Sequence, residues 1–179
     1  LNTKHVHSKG MRENVCLAIK VALDLKIDRK IIQKTLPTLS FEGRFQYLNK
    51  GKIKNKLHKH ETIMIDGAHA PTDAKNLAAY LKNIKIPKYG IWAMSKNKEP
   101  DLFIKQLKGV FKKVVTMPIE NEINSVPAND LYKVATKNKF KAEKSNNFIE
   151  AVKKISSREK KLIVCFGSLY NCGNILNRN

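Results

Sequence analysis

The sequence predicts an α/β domain, a mostly parallel sheet flanked by helices, preceded by two helices that lie outside that domain. Three observations predict it. Up to residue 35 the apolar residues recur at helical spacing. From Gly43 onward short apolar strands alternate with amphipathic helices, the pattern of parallel βαβ units with right-handed crossovers. The chain has 179 residues, 42% of them hydrophobic, which suffices for one core of ordinary size with part of a second domain and excludes a disordered tail.

Val15, Ile19, Ala22 and Leu23, widened by Leu17 and Ala18, predict a helix over 12–26. Ile27-Asp28 interrupts it, and Asp28 can cap a short helix over 29–35 that Pro37 closes. Residues 36–42 read as a linker. Phe45, Tyr47 and Leu48 suggest a strand, followed by a basic turn region over 49–59. A short apolar strand at 62–65 passes through the loop 66–71 into a helix over 72–82, with Ala74, Leu77, Ala78 and Leu81 on one face. Strand 89–94, helix 100–110 and strand 113–117 continue the alternation. Pro127 opens the next helix, to 137, where its missing N–H costs little. A short strand at 140–142, a helix over 147–155, the most apolar strand at 161–166 and a last helix over 168–176 complete the reading.

The formal net charge is +20, from 35 Lys+Arg against 15 Asp+Glu, and its field attracts anions: nucleotides, polyglutamate, nucleic acid or acidic lipid. The charge is spread along a chain rich in Lys, Asn and Ile, so composition accounts for it better than a dedicated nucleic-acid footprint, which needs more than charge. Cys16, Cys165 and Cys172 are odd in number and widely spaced, which argues against a disulfide framework or zinc ribbon and fits a reducing cytosol. No apolar run approaches the ~20 residues needed to cross a membrane, and residues 1–9 have no signal-peptide core. The expected location is therefore cytoplasmic. The start at Leu1 suggests a processed chain, an alternative start or a piece of a longer one.

Four segments carry chemistry. In Ile65-Asp66-Gly67-Ala68-His69-Ala70-Pro71 a strand ends at Asp66 and a small-residue turn enters a helix. Ligands in such folds bind beyond the carboxyl ends of strands. Asp66 there can accept from ribose hydroxyls or order a metal's water shell. Gly67 and Ala68 would let a ligand approach the backbone, and His69 would sit at a helix entrance that favours an anion. Taken alone, a helix cap by Asp66 and a structural His69 is the default. In Phe41-Glu42-Gly43-Arg44-Phe45-Gln46, Arg44 offers a planar donor fork suited to phosphate, though a lone Gly-Arg is usually a surface turn. In Ile163-Val164-Cys165-Phe166-Gly167-Ser168-Leu169-Tyr170, Ser168 can cap a helix or donate to a phosphate. In Arg12-Glu13-Asn14, Asn14 could bond a base or phosphate.

The order and spacing of these segments resemble the C-terminal half of folylpolyglutamate synthases and dihydrofolate synthases, members of the Mur ligase superfamily. The family shows Glu-Asn-Ala on a helix, then Gly-Arg-(Phe/Leu)-Gln, then Asp-Gly-Ala-His-Asn-Pro, and Gly-Ser near the end. Ala93-Met94-Ser95-Lys96-Asn97-Lys98 is similar to a further family stretch. The resemblance runs from about Gly10 to Tyr170 and implies a Rossmann-like domain of the Mur ligase C-terminal type over residues 40–179. Residues 1–39 would then be the helical tail of an upstream ATPase domain. It implies ATP as cofactor, contacted by Asn14, Arg44 and Asp66, with Ser168 close by and His69 at the catalytic position. Magnesium would be held by ligands upstream. The implied activity is ATP-dependent ligation of glutamate to folate or dihydropteroate through an acyl phosphate, and the implied partner is an N-terminal ATPase domain.

The departures are specific. Ala70 stands where the family has Asn, Asn97-Lys98-Glu99 replaces Asp-Lys-Asp, and Gly10-Met11 replaces His-Gln. An Arg found in the family at 118–127 is missing, and no Gly-x-x-x-x-Gly-Lys-(Ser/Thr) loop occurs to cradle phosphates. The chain alone is therefore expected not to turn over. The alternatives are a folded, catalytically inert remnant of a split ligase gene and, less well supported, a basic nucleic-acid-binding module. His5-Val6-His7 and His58-Lys59-His60-Glu61 carry metal-binding residue types but lack a third ligand at a set distance, and read as solvated loops, so no metal site is expected. Trp92 reads as core.

Overall fold

A computed structural model describes residues 6–179, so His5 lies outside the described part. The chain divides into two compact units, Leu1–Glu42 and Gly43–Asn179. In the first, α1 (Lys9–Asp24) starts earlier than its apolar pattern because Ser8 caps it, its Oγ accepting from Met11 N–H at 3.2 Å. In α2 (Arg29–Thr35) Asp28 accepts from Lys30 N–H at 2.6 Å. A 3-10 turn over Leu36–Thr38 follows. Helix α1 buries only Val15 and α2 buries nothing, while Leu17, Val21, Leu25 and Ile31 are exposed.

The second unit carries the expected α/β architecture. Its strands are β1 (Gln46–Tyr47), β2 (Glu61–Asp66), β3 (Lys88–Trp92), β4 (Lys113–Thr116), β5 (Ala142–Lys144) and β6 (Lys161–Phe166). Its helices are α3 (Lys52–Asn55), α4 (Pro71–Lys82), α5 (Pro100–Lys105), α6 (Ala128–Lys137), α7 (Phe148–Ile155) and α8 (Leu169–Arg178). The sheet order is β1-β2-β6-β3-β4-β5, parallel throughout except for the antiparallel β1 edge. The crossovers through α4, α5 and α6 move outward along the sheet, and α7 returns the chain to insert β6 between β2 and β3. That reversal makes a topological switch point, and the register there is level: Asp66 pairs with Phe166, and Phe166 with Trp92.

Both sheet faces are covered, as near-continuous apolar parallel strands require. Ile63, Ile65, Ile91 and Ile163 pack with Phe148, Ala151 and Ile155 of α7 and Cys172 and Ile175 of α8. On alternate residues Trp92 stacks with Phe103 of α5 and with Phe166, ring centroids 6.2 and 6.4 Å apart, so Trp92 is core.

Two local expectations are corrected. The basic turn region contains α3, because Ile53 is buried and the N–H groups of Lys52 and Ile53 are taken by Asn179 at 2.8 and 3.2 Å. The helix over 100–110 stops at Lys105 and continues as turns past Gly109, which adopts φ +75°. The three cysteines are free, and among the described residues no helix is long and apolar enough to cross a membrane.

Candidate functional site

Beyond the carboxyl ends of β2, β3 and β6 lies a cleft of about 400 Å³, lined by His69, Ser95, Asn97, Lys98, Ser168 and Tyr170. Each lining segment leaves a strand at the switch point and enters a turn or helix, which is why polar residues collect there.

Asp66, the last residue of β2, is 1% exposed and lies beneath this surface. Its Oδ2 accepts from Phe45 N–H at 2.9 Å and its Oδ1 from Ala68 N–H at 2.8 Å. One carboxylate therefore ties the turn that carries Arg44 to the turn that carries His69. Gly67 N–H donates to Gly43 O at 2.6 Å and strengthens the same seam. Burial pushes the Asp66 pKa up to about 6; the two backbone donors and the nearby Arg44 charge pull it down, but by less, and Asp73 adds to the rise.

Arg44 sits between Gly43 at φ +67° and Phe45 at φ +46°, a left-handed residue on either side. The turn survives this strain because Phe45 is buried, edge-on to Tyr80 at 4.7 Å, and Gly43 N–H donates to Gln46 Oε1 at 2.7 Å. The guanidinium remains partly exposed, with Nη1 4.0 Å from Asp73 Oδ2. His69 Nδ1 lies 2.8 Å from Gly67 O; a carbonyl only accepts, so Nδ1 is the donor and Nε2 is the ring nitrogen left for other contacts. Ser168, 3% exposed, caps α8 through Asn171 N–H at 3.4 Å and also lines the cleft.

The glycine after Asp66 serves packing. A Cβ on Gly67 would fall 2.2 Å from Leu169 Cδ2, so the space above it is filled by α8 and not left for a ligand. The entrance to α4 is likewise occupied: Asp73 Oδ2 accepts from the N–H groups of His69 and Ala70 at 3.3 and 3.4 Å. The anion expected at that helix start is the protein's own carboxylate. Asp73 was not among the sequence-derived candidates; the available signal was an acid three residues into a helix whose N-cap position holds Ala.

Arg44, Asp66, His69 and Ser168 thus gather at one end of the sheet in the second unit. Asn14 belongs to the first unit, where it lines an apolar groove with Leu17, Ala18 and Val21. Among the described residues no group of three or more His, Cys, Asp or Glu could hold a metal. The donor set also fits a cation poorly, since both oxygens of Asp66 are engaged by backbone donors.

A family model described as dihydrofolate synthetase, C-terminal domain, matches residues 49–178. No curated protein matches the chain. Among solved structures, folylpolyglutamate synthase of Mycobacterium tuberculosis complexed with ADP and AMPPCP is similar with a TM-score of 0.80 at 19% identity, over 96% of this chain and 40% of that one. The bifunctional folylpolyglutamate synthase/dihydrofolate synthase of Yersinia pestis complexed with AMPPNP and Mn ion is similar with a TM-score of 0.76 at 16% identity, over 98% and 40%. Folylpolyglutamate synthase of Thermotoga maritima is similar with a TM-score of 0.70 at 22% identity, over 94% and 38%. These likenesses show the fold, and the chain spans about 40% of the length of those proteins.

Proposed function

Because this chain belongs to the dihydrofolate synthetase C-terminal domain family, we propose that it supplies one wall of the ATP cleft in a ligase that joins glutamate to a folate or dihydropteroate carboxylate. The observation that carries this reading is the meeting of His69 and Ser168 at a crevice at the topological switch point, with Arg44 on the turn that the buried Asp66 carboxylate ties to the His69 turn. Arg44 would meet a phosphate with its planar fork. Asp66 would act chiefly by holding the Arg44 and His69 turns, with the ribose or a metal's waters within reach only if the turns open. Ser168, at the start of α8, would donate to an anion in the cleft. His69 Nε2 is placed to accept a proton from an amine there, the step an attacking glutamate amine needs.

ATP would supply the activation: its γ-phosphoryl would pass to the carboxylate with ADP leaving, and the amine would then attack the acyl carbon and expel phosphate, giving up a proton. Magnesium accompanies ATP in such chemistry, and the described residues of this chain do not form its cage, so its ligands are assigned to the rest of the ligase. The same division of labour suits residues 1–39. Two helices that leave Leu17, Val21, Leu25 and Ile31 exposed bury too little to be stable alone and suit the tail of an ATPase domain, supplied in cis or in trans.

The test is an ATP titration of the native chain and of Arg44→Ala, each with and without an ATPase domain of this family joined upstream. The isolated chain should bind weakly and release no ADP in the presence of folate and glutamate. The added domain should tighten binding, and Arg44→Ala should remove about ten- to a hundredfold of that gain. Equal gains for native and variant would make Arg44 a surface-turn residue. An added domain with no effect on the native chain would favour the inert remnant.

A further inference from the structure

We infer that Asp73 is the positioning residue for Arg44, a carboxylate built into the first turn of α4 that fixes both the loop of His69 and the direction of the Arg44 guanidinium. The inference rests on the reading of Arg44 as the phosphate contact and adds the group that aims it.

Three facts converge on one oxygen. The N-cap of helix α4 is Ala70, which has no side-chain acceptor for the free N–H groups of a helix start. Asp73 Oδ2 reaches back to two of the donors there, His69 N–H at 3.3 Å and Ala70 N–H at 3.4 Å. The same Oδ2 lies 4.0 Å from Arg44 Nη1, and the two side chains are 33% and 30% exposed, so water screens the pair only in part. No other acid lies within ion-pair distance of Arg44 among the described residues.

The backbone around Arg44 is already fixed by its two left-handed neighbours and the Asp66 bond. What remains free is a long side chain, which loses rotamer freedom when it grips a phosphate. A carboxylate that sets its direction beforehand reduces that loss. Arg offers five donors in a fork, and a contact at one Nη1 leaves the others for the ligand. Asp73 also fills the positive end of α4, so an incoming phosphate is directed to Arg44 and not to that helix start.

The test compares four full-length chains: native, Arg44→Ala, Asp73→Asn and the double variant. Asn at 73 keeps an amide oxygen for the two backbone donors and removes the charge, and thermal unfolding checks that α4 survives. ATP with magnesium is titrated to millimolar concentration and followed by amide NMR shifts. Asp73→Asn should weaken binding about two- to fivefold in the native background and have no further effect in the Arg44→Ala background. The Arg44 Nε–H signal, recorded without nucleotide, should lose its distinct shift in Asp73→Asn. Equal weakening in both backgrounds would mean that Asp73 acts only through the helix start, and unchanged or tighter binding would mean a bystander or a competitor for Arg44; each overturns the inference. If native and Arg44→Ala bind ATP alike, the reading of Arg44 fails by itself, while the Nε–H signal still decides whether Asp73 orders it.

Discussion

At its amino end, β2 begins with Glu61, fully buried, whose oxygens accept from His58 N–H at 3.0 Å, Ser156 Oγ at 2.7 Å and Ser157 N–H at 2.8 Å. A buried cation, Lys161, faces it at 3.9 Å, donates to Ile155 O at 2.8 Å and lies 4.6 Å from the Tyr89 ring centroid. At its carboxyl end, the same strand finishes with Asp66, equally buried but served by only two backbone N–H groups, with a partly exposed Arg44 as its nearby positive charge. The amino end compensates its charge locally and is closed. The carboxyl end buries its acid, and burial pushes the acid's pKa up by more than its two backbone donors and Arg44 pull it down. Electrostatic imbalance of this kind collects at functional sites, and here it falls beneath the cleft and not at the opposite pole.

The largest effect should come from breaking the closed end. Lys161→Met leaves Glu61 buried without its cation and should destabilise the second unit by about 3–5 kcal/mol in urea unfolding. Nucleotide affinity per folded molecule should stay unchanged, since the cleft lies at the other end of the strand. A loss below about 1 kcal/mol would mean that the hydrogen bonds alone satisfy Glu61.

Asp66→Asn should act next in size, with a pH signature. An amide offers one oxygen to two backbone donors, so one N–H is orphaned at a cost of about 1–3 kcal/mol. Native Asp66 has its pKa raised on folding, from 3.8 to about 6. Its contribution is therefore fully present below the unfolded value and is lost as pH rises through the folded one, on the order of 3 kcal/mol. The native advantage over Asp66→Asn should shrink from about pH 4 to pH 6 and close or reverse above it. A constant gap would show an ordinary carboxylate. Subtracting the variant also removes the opposite trend from Glu120, whose pKa the Arg178 pair lowers.

These two ends also mark what was legible in the sequence. The alternation of strands and helices, the place of Asp66 and Ser168 at strand ends and the buried Trp92 follow from periodicity and from parallel-sheet rules, which are local or nearly so. Helix α3 was not legible, because its N–H groups are met by Asn179, far away in sequence. The use of Gly67 was misread for the same reason: the atom that fills its space belongs to Leu169. Burial of Asp66 depends on a turn 21 residues earlier, so its bracing of two turns was not legible from its residue type. The Glu61–Lys161 pair was missed because a charge at the start of an apolar strand reads as a solvated boundary, and the two starts lie far apart in sequence.

The smallest effect tests whether the carboxyl end does more than hold its own backbone. Ser168 caps α8 through a long bond, 3.4 Å to Asn171 N–H, and its side chain is buried in spite of lining the cleft. A cap of this type is worth about 0.5–1 kcal/mol when Ser is replaced by Ala. Asn147 offers the control, because it caps α7 in the same way, accepting from Glu150 N–H at 2.9 Å, and is absent from the cleft lining. Ser168→Ala and Asn147→Ala should therefore lose similar stability in urea, with Asn147→Ala the larger by virtue of its shorter bond. They should part in binding: with an upstream ATPase domain joined, Ser168→Ala should weaken the engagement of anionic ligands while Asn147→Ala leaves it alone. If both variants bind as the native protein does, the Ser168 hydroxyl is a helix cap only, and anion binding relies on His69 and Lys98 of the cleft and on Arg44 of the neighbouring turn.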